Sequence, residues 1–205
     1  MKGKIFIPII LFALTLSGCD IFDDANDTAQ ELSDLKKGKI FLSERGTVNY
    51  AENLSLVFKD YGRIQCVKTG LLVSVIYNND SIYTLNHQFR SYSVNPFEAS
   101  SYGGFVGFCF MQHTWYAAIK LTSPQGLTQK TEIIAGKECI VFSYTQQTEN
   151  STITVRYGGW NRILFTLEGA SGSDSYGESL QAVSFSETAN ENDFVIPLDY
   201  TRTEN

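Results

Sequence analysis

Histidine is nearly absent. His87 and His113 are the two in 205 residues, and neither has an Asp, Glu or Cys at a metal-ligand spacing, which excludes the common zinc patterns. A Gly-x-Ser-x-Gly elbow, a phosphate-binding glycine loop and a dinucleotide fingerprint are also missing. Basic residues are in deficit, with 16 Lys+Arg against 22 Asp+Glu and a net charge of −6, the wrong sign for a nucleic-acid binder. No apolar run approaches the roughly 20 residues that a membrane-spanning helix needs. Proline occurs four times, too seldom to interrupt many strands. The carboxylates of Asp23, Asp24 and Asp193 read as solvated tether and loop rather than as an acid/base pair in a partly dry cleft. The expectation is a protein that is not an enzyme and has no cofactor, no metal and no nucleic-acid partner.

What the chain does contain begins at residue 2. Lys2 and Lys4 precede an apolar run at 5–16, which has the length of a signal-peptide core and not of a bilayer span. The run ends in Leu16-Ser17-Gly18-Cys19, which resembles the lipobox of bacterial lipoproteins. The resemblance implies cleavage after residue 18, acylation of the Cys19 thiol and new amino terminus with chains such as palmitate, and attachment to a membrane of the cell envelope. Two or three chains, at about 0.8 kcal/mol per buried CH₂, make such an anchor effectively permanent. Losing Lys2 and Lys4 with the leader moves the net charge from −6 to −8. Residues 19–38 open with Asp20-Ile21-Phe22-Asp23-Asp24-Ala25-Asn26-Asp27 and read as an acidic tether. Within it, 28–37 has capping-box spacing between Thr28 and Glu31, so a short helix and a continuing polar tether both fit. Asp20 resembles an inner-membrane retention signal and the acidic run a surface-export signal; the membrane and leaflet stay open between them.

From residue 39 onward short apolar alternations separated by turn residues predict sequential hairpins in one β-rich domain over 39–200, followed by a tail at 201–205. Leu54, Leu56 and Phe58 alternate with Ser55 and Val57, Lys59-Asp60-Tyr61-Gly62 turns the chain, and 63–68 returns. Segment 71–77, the turn Asn78-Asn79-Asp80 and 81–86 form the next hairpin. Strands are predicted at 132–135, 138–146, 151–157, 162–167 and 180–186, with breaks at Gly136, Asn150, Gly158-Gly159 and 169–177. Between the two groups, 105–121 packs Phe105, Phe108, Phe110, Met111, Trp115, Tyr116 and Ile119 closely after the glycine-rich Ser100-Ser101-Tyr102-Gly103-Gly104. Its 111–121 part is read as a helix lying on the sheet.

The hairpin tandem, with Phe58-Lys59-Asp60-Tyr61-Gly62-Arg63, the apolar-turn-Tyr hairpin at 73–86 and a late Phe194-x-x-Pro197-x-x-Tyr200, resembles the lipoprotein-carrier (LolA/LolB-like) fold. The resemblance implies a mainly β, α+β fold, in which a curved antiparallel sheet forms a half-barrel over one or more helices. Its concave side would receive acyl chains, and the lipobox would place this chain with the anchored members of the group. Phe105, Phe108, Phe110 and Trp115 are then the candidate residues lining or covering an apolar cavity, with 27 aromatics in the chain (Phe 14, Tyr 11, Trp 2) supplying more than a minimal core. The alternative is a structural or interaction lipoprotein that meets a protein or glycan partner through its polar face. Beyond Cys19, three cysteines remain at 66, 109 and 139, so at most one intrachain disulfide can form, and buried free thiols are the favoured reading because no short paired spacing suggests a staple.

Overall fold

The computed structural model describes residues 39–78, 81–96, 127–147, 152–171 and 179–204. Period-two alternation decides which side chains of each strand meet the core. In β2 (Leu54–Lys59) Leu54, Leu56 and Phe58 share one face while Ser55, Val57 and Lys59 share the other. Register carries this division across the neighbours β1 (Gly46–Tyr50) and β3 (Ile64–Thr69): Val48 stands opposite Leu56, which stands opposite Val67, and Val57 stands opposite Cys66. β4 (Val73–Asn78), β5 (Ser81–Asn86) and β6 (Ser91–Pro96) continue the meander, with Cys66 opposite Ile76 and Ile76 opposite Tyr83.

A second meander runs through β7 (Thr128–Ile134), β8 (Lys137–Gln147), β9 (Thr152–Trp160), β10 (Ile163–Ser171) and β11 (Ser179–Ser186). It returns β11 to the free side of β1, where Val48 pairs with Phe185 and Tyr50 with Ala182. The result is one 12-stranded open sheet in the order β12-β6-β5-β4-β3-β2-β1-β11-β10-β9-β8-β7, so the first strand lies in its interior. Every pairing is antiparallel except that of β12 (Thr201–Arg202), which lies parallel to β6.

The main apolar cluster occupies one face, with Val48, Leu56, Phe58, Val67, Val141, Ile163 and Phe165 fully buried. Phe41, from the stretch before β1, packs its ring edge-on to Phe58 at 4.7 Å between centroids. Trp160, Phe165 and Phe185 form an aromatic triangle beside them, each pair within 6.4 Å. The Tyr50 hydroxyl donates to the Leu164 carbonyl at 2.6 Å, tying β1 to β10 across β11.

Two expectations need correction. A sheet over helices is not what forms: among the described residues the helical pieces are 3-10 turns of three or four residues. The helix expected at 111–121 lies outside the described residues. A sheet face needs an apolar cover but not a helical one, and segments outside the strands supply it here: Ile40 and Phe41 on one face, Ala189, Phe194, Ile196 and Tyr200 on the other. The fold class among the described residues is therefore nearly all β.

The second correction concerns Gly158-Gly159, which sits inside β9 instead of breaking it. Gly158 is opposite Val141 on one side and Thr166 on the other. A Cβ there would stand 2.7 Å from a methyl group of each, so the missing side chain lets three strands pack closely.

Candidate functional site

After β11 the chain does not leave the molecule. Residues 187–200 cross the face of the first meander that carries Val57, Cys66, Ile76 and Leu85, and pack Ala189, Phe194, Ile196 and Tyr200 onto them. The late Phe-x-x-Pro-x-x-Tyr spacing provides those contacts: Phe194 and Tyr200 face the sheet, and the Tyr200 amide bonds the Pro197 carbonyl at 3.1 Å, turning the chain into β12. The Asn190 side chain accepts from the Asn192 amide and opens the 3-10 turn Glu191–Phe194.

Acidic residues of this strap meet basic residues of the sheet along its length. Lys59 donates to Glu191 at 2.5 Å, with Arg45 3.7 Å from the same carboxylate. Lys68 pairs with Asp193 at 2.7 Å and Arg90 with Asp199 at 3.2 Å. The hydrogen bond from Lys59 holds the Glu191 carboxyl below its ordinary range. At the far end His87 joins sheet and strap: its Nε2 lies 2.7 Å from Ser74 Oγ and its Nδ1 2.6 Å from the Tyr200 hydroxyl. His87 is thus a structural link between β4 and the strap. Among the described residues, no three His, Cys, Asp or Glu side chains gather as a metal site would require.

Between strap and sheet lies a cavity of about 400 Å³. Its walls come from Ile64 and Ile76 on β3 and β4, Tyr83 on β5, and Phe194, Val195 and Ile196 on the strap; Asn78 and Lys59 add polar groups. Lys59 is the charged residue among the described residues lining it, and its ammonium is 4.6 Å from the centre of the Phe194 ring. The volume falls within the range of small-ligand pockets, about 300–1,000 Å³. A mostly apolar wall beside one cation suits an apolar chain better than a polar metabolite.

A separate ionic network lies on β7–β10. Arg156 bonds Glu132 and Glu168 at 2.6 Å each and Thr166 at 3.0 Å, while Lys130 pairs with Glu132. Hydrogen bonding from Lys130, followed by that from Arg156, keeps the Glu132 carboxyl below its ordinary range. Both carboxylates are neutralised within the network, which therefore reads as a strand-to-strand brace.

Phe105, Phe108, Phe110, Trp115, Cys109 and the anchor residue Cys19 all lie outside the described residues. Cys66 and Cys139 are free and buried in clusters on opposite faces of the sheet, so they do not pair with each other. Burial pushes the Cys66 thiol up to about 12 and that of Cys139 to about 11. Sequence reading missed Lys59, Ile64, Ile76 and Ile196 as cavity residues, because they become neighbours only when the strap folds back. The available signal was the apolar-acidic alternation of 187–200 after the last long strand.

No family model and no curated protein matches this chain. Among solved structures, the crystal structure of an uncharacterized conserved protein from Thermus thermophilus superposes with a TM-score of 0.46 at 10% sequence identity, covering 86% of this chain and 98% of that one.

Proposed function

We propose that this chain is a non-enzymatic lipoprotein of the bacterial cell envelope, attached through Cys19, which holds an acyl chain or other hydrophobic ligand against its sheet. The observation that carries the binding part is the cavity of about 400 Å³ between strap and sheet, walled by Ile64, Ile76, Tyr83, Phe194 and Ile196. The envelope part is supported by Lys2, Lys4, the apolar run 5–16 and Leu16-Ser17-Gly18-Cys19. Native mass spectrometry of the unlipidated protein purified from cells tests the first part. A co-purifying mass of a long acyl chain is expected; bare protein that also fails to take up an acyl probe would overturn it. For the anchor, Cys19→Ala should move the protein to the soluble fraction, and retention in the membrane pellet after a high-salt wash would remove the claim.

A second reading, an interaction lipoprotein with a protein or glycan partner, is favoured by one surface feature. Leu71 and Leu72 in the β3–β4 turn, Phe89 in the β5–β6 turn and Leu198 at the end of the strap are exposed at one end of the sheet, Leu71 at 90%. The two turns are tied by the His87 amide bonding the Leu72 carbonyl at 2.8 Å. Under this reading Leu71→Ser with Phe89→Ser abolishes partner capture while leaving acyl uptake unchanged.

A further inference from the structure

We infer that the ligand of the strap cavity is a single-chain amphiphile with an anionic head, which Lys59 receives in exchange for Glu191. This rests on the reading that the cavity holds an apolar chain, and deepens it by naming the head group. The wall formed by Ile64, Ile76 and Ile196 offers nothing to a charge and Tyr83 and Asn78 only neutral polar groups, whereas Lys59 brings an ammonium into the same cavity. An ammonium carries three donors, and Glu191 accepts one of them at 2.5 Å. The ring of Phe194 lies 4.6 Å from the same nitrogen, fixing the cation at the seam between strap and sheet.

The exposures of the two partners decide which of them can change company. The Lys59 side chain is 25% exposed and anchored at the end of β2, while that of Glu191 is 59% exposed. Glu191 can therefore return to water readily, since its carboxylate is already largely solvated. Arg45, 3.7 Å from Glu191, keeps a cation beside that carboxylate after the exchange. A head group on Lys59 would gain a charge-assisted hydrogen bond while its tail leaves water for the apolar wall. At about 400 Å³ the cavity suits one chain better than the paired chains of a diacyl lipid. A cationic head would meet Lys59 as a like charge, and a neutral head would forgo the ionic bond.

The test measures binding of dodecanoate, dodecanol and a dodecanoyl lysophosphatidate to the full chain carrying Cys19→Ser, so that no covalent acyl group is present. Dodecanoate or the lysophosphatidate should bind about tenfold tighter than dodecanol, the value of one charge-assisted bond; which of the two binds tighter distinguishes a carboxylate from a phosphate head. Lys59→Gln should erase that preference while leaving dodecanol within about twofold, and Lys59→Arg should restore it. Glu191→Gln, which removes the competing carboxylate, should strengthen anion binding several-fold and leave dodecanol unchanged. Equal affinities for anion and alcohol, or an anion affinity indifferent to Lys59→Gln, would overturn the inference and leave the apolar cavity standing. Binding of none of the three by the unmodified Lys59 protein would overturn both.

Discussion

Gly62 and Gly70 share a left-handed backbone, with φ of +83° and +58°, but not a neighbourhood. A Cβ at Gly62 would lie 2.5 Å from the Phe41 ring, whereas nothing comes within 4 Å of one at Gly70. Gly70→Ala should therefore cost about 1 kcal/mol from backbone strain alone. Gly62→Ala adds overpacking and should cost about 2–4 kcal/mol, a contrast that urea unfolding of the two variants measures. Cys66 tests burial in another way. Its folded thiol ionises near 12 against an ordinary 9.0, because burial disfavours the thiolate. Its contribution to stability is complete below about pH 9 and lost as pH climbs toward 12, since the unfolded chain gives up the proton first. The urea midpoint should fall between pH 9 and 11 more steeply in the unmodified protein than in Cys66→Ala, and at pH 8 the native thiol should resist a disulfide reagent that labels the unfolded chain at once.

The strap combines ion pairs with apolar contacts, and magnitudes separate them. Glu191 and Asp199 are exposed, so salt screens their pairs, whereas Asp193 is only 16% exposed and its pair with Lys68 is screened less. Phe194 and Ile196 are half-buried on the sheet and bring the larger share. High salt should leave the strap docked, while Phe194→Ala, at about 1–2 kcal/mol for a half-buried ring, should loosen it. The readout is hydrogen exchange at the amides of Thr201 and Thr203, which bond the carbonyls of Arg90 and Tyr92. Strap loss under salt alone would reverse that ranking. The strands themselves were legible in sequence: the runs at 54–58, 63–68, 81–86 and 180–186 lie within a residue or two of β2, β3, β5 and β11, because alternation and turn residues are local signals. β1 and β6 escaped notice, since Gly46–Tyr50 and Ser91–Pro96 are short and half polar. The cavity was not legible where it lies, because Lys59 and Ile196 meet through a return of the chain that no local pattern encodes. Gly158-Gly159 misled because a glycine pair usually marks a turn, and only the register with Val141 and Thr166 explains it.

Across the whole molecule the sheet is joined at β1, whose partners β2 and β11 come from opposite ends of the described chain. Neither meander can complete its core cluster without the other, since Val48, Leu56, Ile163 and Phe165 belong to the same one. Residues 39–204 should unfold in a single transition by both circular dichroism and tryptophan fluorescence, with Trp160 reporting on the second meander. Tyr50→Phe, which removes the hydroxyl that donates to the Leu164 carbonyl, should lower the stability of both meanders together by about 1 kcal/mol; separate transitions would show that the seam does not couple them. The seam also fixes where the chain enters the sheet. The amides of Ile40 and Phe41 both bond the Tyr61 carbonyl, at the edge where β2 ends and β3 begins. Lys59, Ile64 and Asn78 stand at that same edge, while Leu71, Leu72 and Phe89 stand at the opposite one. On the proposed anchorage the chain enters the domain at the end that carries the Lys59 hollow and not at the leucine tips, so an acyl chain drawn from the leaflet would have the shorter path to it.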